Sequence, residues 1–170
     1  MKTGIFLSYK GIGANLLHLS YCHQIAKKFG PVSLITLCPN LDKVLKDDPN
    51  FDEIIFLDKF HKKFFDIYKL STFLKKFNFE NIFIFYPSVR HYISSKIAGI
   101  KNIYHYPLFK KKNLHLVEAA KNFTEKSLNI KNCPTETNFK IDLSKAEKYK
   151  KNKLKKIVLG ISSSGPTTKW

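Results

Sequence analysis

The sequence NIFIFY at residues 81–86 is the most continuously apolar stretch of the chain, and it decides the fold. A strand buried on both faces has such a sequence, and strands of this kind are typical of parallel sheets. Pro87 and Ser88 then turn the chain into a helix predicted over Val89–Ala98, which Gly99 ends. The stretch therefore predicts the central strand of a parallel sheet.

Strands and helices alternate on both sides of this strand, as they do in sheets whose parallel neighbours are joined by crossover helices. Four further strands are predicted at Thr3–Leu7, Val32–Leu37, Glu53–Leu57 and Asn102–His105. Apolar residues at helical spacing predict helices at Ala14–Lys28, Asn40–Lys46, Lys62–Phe77 and Leu114–Leu128. The fold class predicted is α/β, with a Rossmann-like, doubly wound parallel sheet.

The alternation of strands and helices ends in the last third of the chain. Ser144–Lys156 holds seven lysines and almost no apolar residue, which is typical of a solvated linker. An apolar strand follows at Ile157–Ile161, and then a loop of Ser, Gly and Thr. We therefore predict a domain at residues 1–143, a linker at 144–156, and at 157–170 the truncated start of a second domain, represented by an orphan first strand.

Composition bounds the class of protein. The formal net charge is +17, of which +16 falls in residues 61–170, yet Arg90 is the single arginine. Such a lysine excess is typical of an AT-rich genome and also favours contact with an anionic membrane surface; the two interpretations are compatible. Three cysteines, no apolar run of about 18 residues and no signal-peptide pattern predict a cytoplasmic protein.

Gly11 and Gly13 separate the first strand from the first helix, where backbone N–H groups can face a ligand. A dinucleotide fingerprint would need a third glycine at position 16, which is Leu16, so binding of nicotinamide or flavin is not expected. The alternative is that both glycines serve only a tight turn.

Asn15 and His18 lie three residues apart at the start of the next helix, so they share a face near the carboxyl edge of the sheet. His18 is a candidate general base, or else a partly exposed helix histidine. Ser88 and Arg90 follow the central strand at the same edge. Ser88 is a candidate helix cap and Arg90 a candidate contact to an anionic substrate, or else a solvated side chain.

The histidines and cysteines show no metal-ligand spacing, so no metal and no cofactor are expected. The last nine residues have a composition that suits phosphate binding, without a Walker pattern, or that suits a polar tail. The candidate phosphate ligands in this segment are Ser163, Ser164, Thr167, Thr168 and Lys169.

Four segments together resemble the family 9 glycosyltransferases, the heptosyltransferase group. A strand followed by G-I-G and L-L-H-L is similar to the family's amino-terminal motif, and Asp47–Ile55 to its stretch before strand three. His115–Glu118 resembles its His-x-x-Glu, and Ile157–Trp170 the opening of its second domain. Their order and spacing cover the whole chain.

The resemblance implies the amino-terminal half of a GT-B fold that transfers a sugar without a metal. This half would bind a lipopolysaccharide-type acceptor, with Gly11, Gly13, Ser88 and Arg90 as the acceptor-binding residues. The second domain would bind a nucleotide-sugar donor such as ADP-heptose.

The family usually has Gly-Asp where this chain has Ala14-Asn15, and the aspartate is its candidate base, so the resemblance implies Asn15 and His18 as the candidate catalytic residues. An amide takes up no proton at neutral pH, so the alternatives are that His18 substitutes for the base, that the acceptor differs, or that activity is lost. Lys169 also directly precedes Trp170, where the family commonly has one residue between them.

The sequence thus predicts a family 9-like glycosyltransferase that contacts the inner membrane peripherally, binds no nucleic acid, and is a fragment inactive alone. The alternatives are a non-enzymatic basic α/β module that binds RNA or an anionic surface, and an unrelated doubly wound domain such as a nucleoside-phosphate enzyme. The absence of any basic residue from residues 81–86 favours burial of that strand over RNA stacking.

Overall fold

The computed structural model describes residues 2–57, 66–107 and 114–137. Five strands in these ranges form one sheet, and they are β1 (Thr3–Leu7), β2 (Val32–Thr36), β3 (Phe51–Phe56), β4 (Asn81–Ile84) and β5 (Asn102–His105). All neighbouring pairs are parallel, and the strand order is β3-β2-β1-β4-β5. The predicted parallel α/β sheet is confirmed.

Six helices connect and flank these strands, and they are α1 (Ile12–Leu16), α2 (Leu19–Phe29), α3 (Leu41–Leu45), α4 (Asp66–Lys75), α5 (Val89–Ile97) and α6 (Leu116–Leu128). They cover both faces of the sheet, because alternate residues of the central strand enter different cores. Phe83 and Phe85 pack with residues of α2, α3 and α6, whereas Ile82 and Ile84 pack with residues of α4. The sheet is therefore doubly wound, as predicted.

The helix predicted over residues 14–28 is two helices, and the prediction of one continuous helix is wrong. The Nδ1 atom of His18 lies 2.6 Å from the carbonyl oxygen of Ala14, which a regular helix would pair with the His18 backbone N–H. That N–H bonds instead to the carbonyl of Asn15 at 3.0 Å. The side chain of His18 thus takes the place of a helical hydrogen bond, and the helix breaks between Leu16 and Leu19.

The other described boundaries differ from the predictions by at most two residues. β4 ends at Ile84 because the chain turns at the next residues, where the Ser88 N–H bonds to the carbonyl of Tyr86 at 2.9 Å. α6 begins at Leu116, after His115 as its N-cap. The predicted start of the fourth helix at Lys62 lies outside the described residues.

The order of the strands reverses between β1 and β4, since the chain runs outward from β1 to β3 and then crosses to β4. Open α/β sheets bind ligands at the carboxyl ends of the strands at such a point. The described residues belong to one compact unit, Met1–Phe139. The predicted linker at 144–156 and the strand at 157–161 lie outside the described residues, so the division into domains stays a prediction.

Candidate active site

Two loops meet at the carboxyl edge where the strand order reverses, one after β1 and one after β4. The hydroxyl of Tyr9 donates a hydrogen bond to the carbonyl oxygen of Phe85 at 3.1 Å, so one loop is tied to the other. The rings of Tyr9 and Tyr86 lie edge to face with centroids 6.4 Å apart. Gly11, the N-cap of α1, and Gly13, in the first turn of α1, therefore lie beside the end of the central strand.

Gly11 and Gly13 leave open space in front of their backbones. Neither has a positive φ, so no turn geometry requires glycine at these positions. A Cβ atom added at either would meet no described atom within 4 Å. The tight-turn alternative is therefore not supported by the backbone, and the exposed glycines leave room for a molecule to approach the chain closely.

Asn15 is fully buried, and its amide joins three segments of the chain. The Nδ2 group donates to the carbonyl of Gly11 at 2.7 Å and to that of Tyr9 at 3.0 Å. The Oδ1 atom accepts a hydrogen bond from the hydroxyl of Thr36 at 3.1 Å, and that hydroxyl accepts one from the N–H of Cys38. Asn15 therefore links the loop after β1 to the end of β2.

His18 is also fully buried, so the alternative of a partly exposed histidine is wrong. Its Nδ1–H donates to the carbonyl of Ala14, because a carbonyl can only accept, and this leaves the lone pair on Nε2. Among the described residues no group bonds to Nε2. The ring lies stacked on Tyr9 and edge to face on Phe85, with centroids 4.8 and 5.3 Å apart.

Burial lowers the pKa of His18, because a charged imidazolium is poorly solvated there, and the bond to Ala14 opposes this in part. His18 is therefore neutral near pH 7, with a basic nitrogen free of partners in the described part of the chain. Burial, together with the nearby phenol of Tyr86, raises the pKa of Tyr9 to about 12. Tyr9 is therefore an uncharged hydrogen-bond donor.

Ser88 caps α5, as predicted, since its hydroxyl accepts a hydrogen bond from the N–H of His91 at 3.4 Å. Arg90 lies in the first turn of α5 and is partly exposed. The structure thus brings Gly11, Asn15 and His18 into one contact network and places Ser88 and Arg90 after the neighbouring strand. The five predicted donor-phosphate residues, Ser163, Ser164, Thr167, Thr168 and Lys169, lie outside the described residues.

The described part of the chain holds no group of three His, Cys, Asp or Glu side chains arranged to bind a metal ion. Burial raises the pKa of all three thiols, to about 11 for Cys133, where Glu125 adds to the effect. Buried thiols with raised pKa values are poor nucleophiles, so covalent catalysis through these cysteines is not expected. No described helix is long and apolar enough to cross a membrane.

The sequence did not predict a cavity of about 910 Å³ beside this edge, between the end of β5 and α6. Its size lies in the range of small-molecule sites. It is lined mainly by aromatic and apolar side chains, with His105, Asn122 and Lys126 among the polar ones. The lining comes from segments distant in sequence, so no local pattern could have found it. Tyr86 lines the cavity and also contacts Tyr9, which places the cavity next to the Gly11–His18 segment.

Comparison with known proteins shows a similarity in fold. No family model matches the sequence, and no curated protein matches it. The crystal structure of a glycosyl transferase family 9 protein from Veillonella parvula DSM 2008 is similar, with a TM-score of 0.65 and 15% identity. The alignment covers 99% of this chain and 56% of that protein. The chain therefore has the fold of about half of that glycosyl transferase.

Proposed function

We propose that this chain is the acceptor-binding half of a family 9-like glycosyltransferase, which transfers a sugar from a nucleotide-sugar to a cell-envelope acceptor. The observation that carries the proposal is the similarity in fold to a family 9 glycosyl transferase along 99% of the chain. The sequence motifs at Gly11–His18 and His115–Glu118 support it independently, because they resemble that family without reference to the fold.

The site chemistry that fits the described residues is a direct displacement. The acceptor hydroxyl would lie over Gly11 and Gly13, where the backbone is open to approach. Its oxygen would form a bond to the anomeric carbon of the donor sugar, and the nucleoside diphosphate would leave with the electrons of the broken bond. The hydroxyl proton would pass to Nε2 of His18, which is neutral and free of partners among the described residues.

Access to His18 requires movement, because its side chain has no exposed surface in the free chain. Tyr9 covers the imidazole and is held by its hydrogen bond to Phe85. We assign Tyr9 the role of a cover that is displaced when the acceptor binds. Arg90 and Ser88, after the adjacent strand, would contact the anionic groups of a lipopolysaccharide-type acceptor.

The donor would be bound by the second domain, with a nucleotide-sugar such as ADP-heptose as the substrate and no metal. Ser163, Ser164, Thr167, Thr168 and Lys169 would neutralise the leaving diphosphate. The lysine-rich part of the chain would contact the anionic inner membrane from the cytoplasmic side, where a lipid-linked acceptor is available. The 170 residues alone would be inactive, because they correspond to only about half of the similar glycosyl transferase.

The test is sugar transfer by the product of the complete open reading frame that contains these residues. ADP-heptose and other nucleotide-sugars serve as donors, and deacylated lipopolysaccharide core serves as the acceptor. We expect transfer with at least one donor, and a loss of about 100-fold or more in kcat for His18→Gln, in the range of general-base effects. Failure of every donor would overturn the proposed function.

The rival, a basic module that binds RNA, is less well supported by the structure. RNA-binding sheets expose aromatic rings on which bases stack, whereas Phe83 of β4 and Phe85, just after its end, are fully buried. A salt titration of RNA binding separates the two functions. An affinity that falls steeply with salt, together with no sugar transfer, would favour the rival.

A further inference from the structure

Asn15 occupies the position where the resemblance places the catalytic aspartate, and its surroundings are built for an amide. Two backbone carbonyl oxygens, of Tyr9 and Gly11, face the Nδ2 group at 3.0 and 2.7 Å. The reverse orientation of the amide would set Oδ1 against both carbonyl oxygens. Because these carbonyls only accept hydrogen bonds, they fix the orientation of the amide. The hydroxyl of Thr36 then donates to Oδ1.

An ionised carboxylate cannot replace this amide without loss. It has acceptors only, so it would lie against two carbonyl oxygens in a site with no solvent exposure. The titratable groups on the described segments that contact Asn15 are Tyr9, Lys10, His18 and Cys38. The pKa is raised for Tyr9 and Cys38 and lowered for His18, so none of these three is charged near pH 7. Lys10 is exposed, so solvent screens its ammonium group from the buried site.

We propose that Asn15 is a positioning residue, which holds the loop at residues 9–11, after β1, against the end of β2. We also propose that position 15 does not tolerate an ionised carboxylate. That this loop binds the acceptor rests on the proposed function. The hydrogen bonds of Asn15 to the loop and to Thr36, which we call the brace, do not depend on that function. Asn15 thus supplies hydrogen-bond donors to the loop and no proton acceptor, and under the proposed function the base is His18.

The test compares Asn15→Asp with wild type by urea denaturation of the 170-residue chain between pH 4 and pH 8. Burial and the two carbonyls raise the pKa of the new carboxyl in the folded state above its unfolded value of about 3.9. The variant is therefore most stable, relative to wild type, at the acid end, and its folding equilibrium constant falls by up to about tenfold per pH unit as the pH rises.

The matched control is Asn122→Asp, the same change at an exposed position inside α6. The stability of this control should follow that of wild type at all pH values. If the stability of Asn15→Asp varied with pH in the same way as that of wild type, the proposal would be overturned. A gain in the stability of Asn15→Asp as the pH rises would overturn it as well.

A double-mutant cycle keeps the proposal testable if Asn15→Asp does not fold. Asn15→Ala and Thr36→Val each remove one partner of the same hydrogen bond, so the loss in the double variant should be several-fold smaller than the product of the single losses. Independent losses would contradict the brace. If sugar transfer fails but the pH profile and the cycle hold, the proposed function is wrong and the brace is retained.

Discussion

The ring of Tyr9 lies stacked on the imidazole of His18, with centroids 4.8 Å apart and planes inclined by 28°. This contact explains how a titratable side chain at the edge of the sheet has no solvent exposure. The hydroxyl of Tyr9 is bonded to the carbonyl of Phe85, so the cover over His18 depends on a residue of the adjacent strand. Opening this cover costs one hydrogen bond and the ring contacts of Tyr9 with His18 and Tyr86, a cost that ligand binding can offset.

Removing the cover should expose His18 to reagents. In wild type, we expect diethyl pyrocarbonate to modify exposed His115 rapidly and His18 slowly. Tyr9→Ala should increase the rate at His18 by at least about tenfold, a change of the size expected when roughly 1.4 kcal/mol of the closing free energy is lost. Site-resolved mass spectrometry measures both rates in one sample.

The control Tyr68→Ala, at a position that is 68% exposed, should leave the rate at His18 unchanged. Equal rates at His18 in wild type and Tyr9→Ala would show that Tyr9 is not the cover.

The buried neutral His18 should make stability depend on pH. Its folded-state pKa is lowered below the unfolded value of about 6.5, so below that pH the unfolded chain binds more protons than the folded one. The contribution of His18 to stability is therefore complete above about pH 6.5 and is lost as the pH falls, by up to about 1.4 kcal/mol per pH unit. Urea denaturation of wild type and His18→Gln between pH 5 and 8 isolates this slope. If the free energy of unfolding varied with pH in the same way in both proteins, the predicted effect of His18 would be contradicted.

Asp48 and Asp47 are adjacent carboxylates with opposite surroundings. Asp48 is buried and accepts hydrogen bonds from the backbone and the side chain of Asn50, and it lies 2.7 Å from Nε2 of His23. Asp48→Ala should lower the free energy of unfolding by about 2–3 kcal/mol, because it leaves partly buried donors unpaired.

Asp47 is the matched control for that change. Its half-exposed carboxylate lies 3.8 Å from the ammonium group of Lys46. Asp47→Ala should change the free energy of unfolding by less than about 0.5 kcal/mol. Similar losses from the two changes, measured by denaturation at pH 7, would mean that the burial of Asp48 is not as described.

Two buried tyrosines differ in their hydrogen bonding. The hydroxyl of Tyr21 donates to the carbonyl of Val117 at 2.9 Å, whereas the buried hydroxyl of Tyr106 has no partner among the described residues. Tyr106→Phe should leave stability unchanged or raise it by up to about 1 kcal/mol, and Tyr21→Phe should lower it by about 1–2 kcal/mol. Thermal denaturation of both variants decides this. A loss for Tyr106→Phe that equals the loss for Tyr21→Phe would refute the difference.

The sheet could be predicted because its signal is local. In residues 81–86 both alternating faces are apolar, and in the structure Ile82 and Phe83 indeed enter opposite cores. The break between α1 and α2 could not be predicted, since it arises when the His18 side chain takes the carbonyl of Ala14. No residue type that usually ends a helix marks that point.

The position of the candidate site in the fold could be predicted, whereas the contacts of its side chains could not. The position of Gly11–His18 at the carboxyl edge followed from the order of strands and helices. The burial of His18 did not, because it depends on Tyr9 and on Phe85, which lies 76 residues further along the chain. The resemblance pointed to position 15 as unusual, but only the two carbonyls facing the amide give the reason.

The proposed function requires that the acceptor binds at the edge between β1 and β4. The most direct measurement is an amide NMR titration of the 170-residue chain with deacylated lipopolysaccharide core oligosaccharide. We predict saturable shift changes that cluster at Gly11, Gly13, Ser88 and Arg90, with Lys75 at the end of α4 unaffected. No shift change at millimolar oligosaccharide, or changes confined to α4, would contradict the claim.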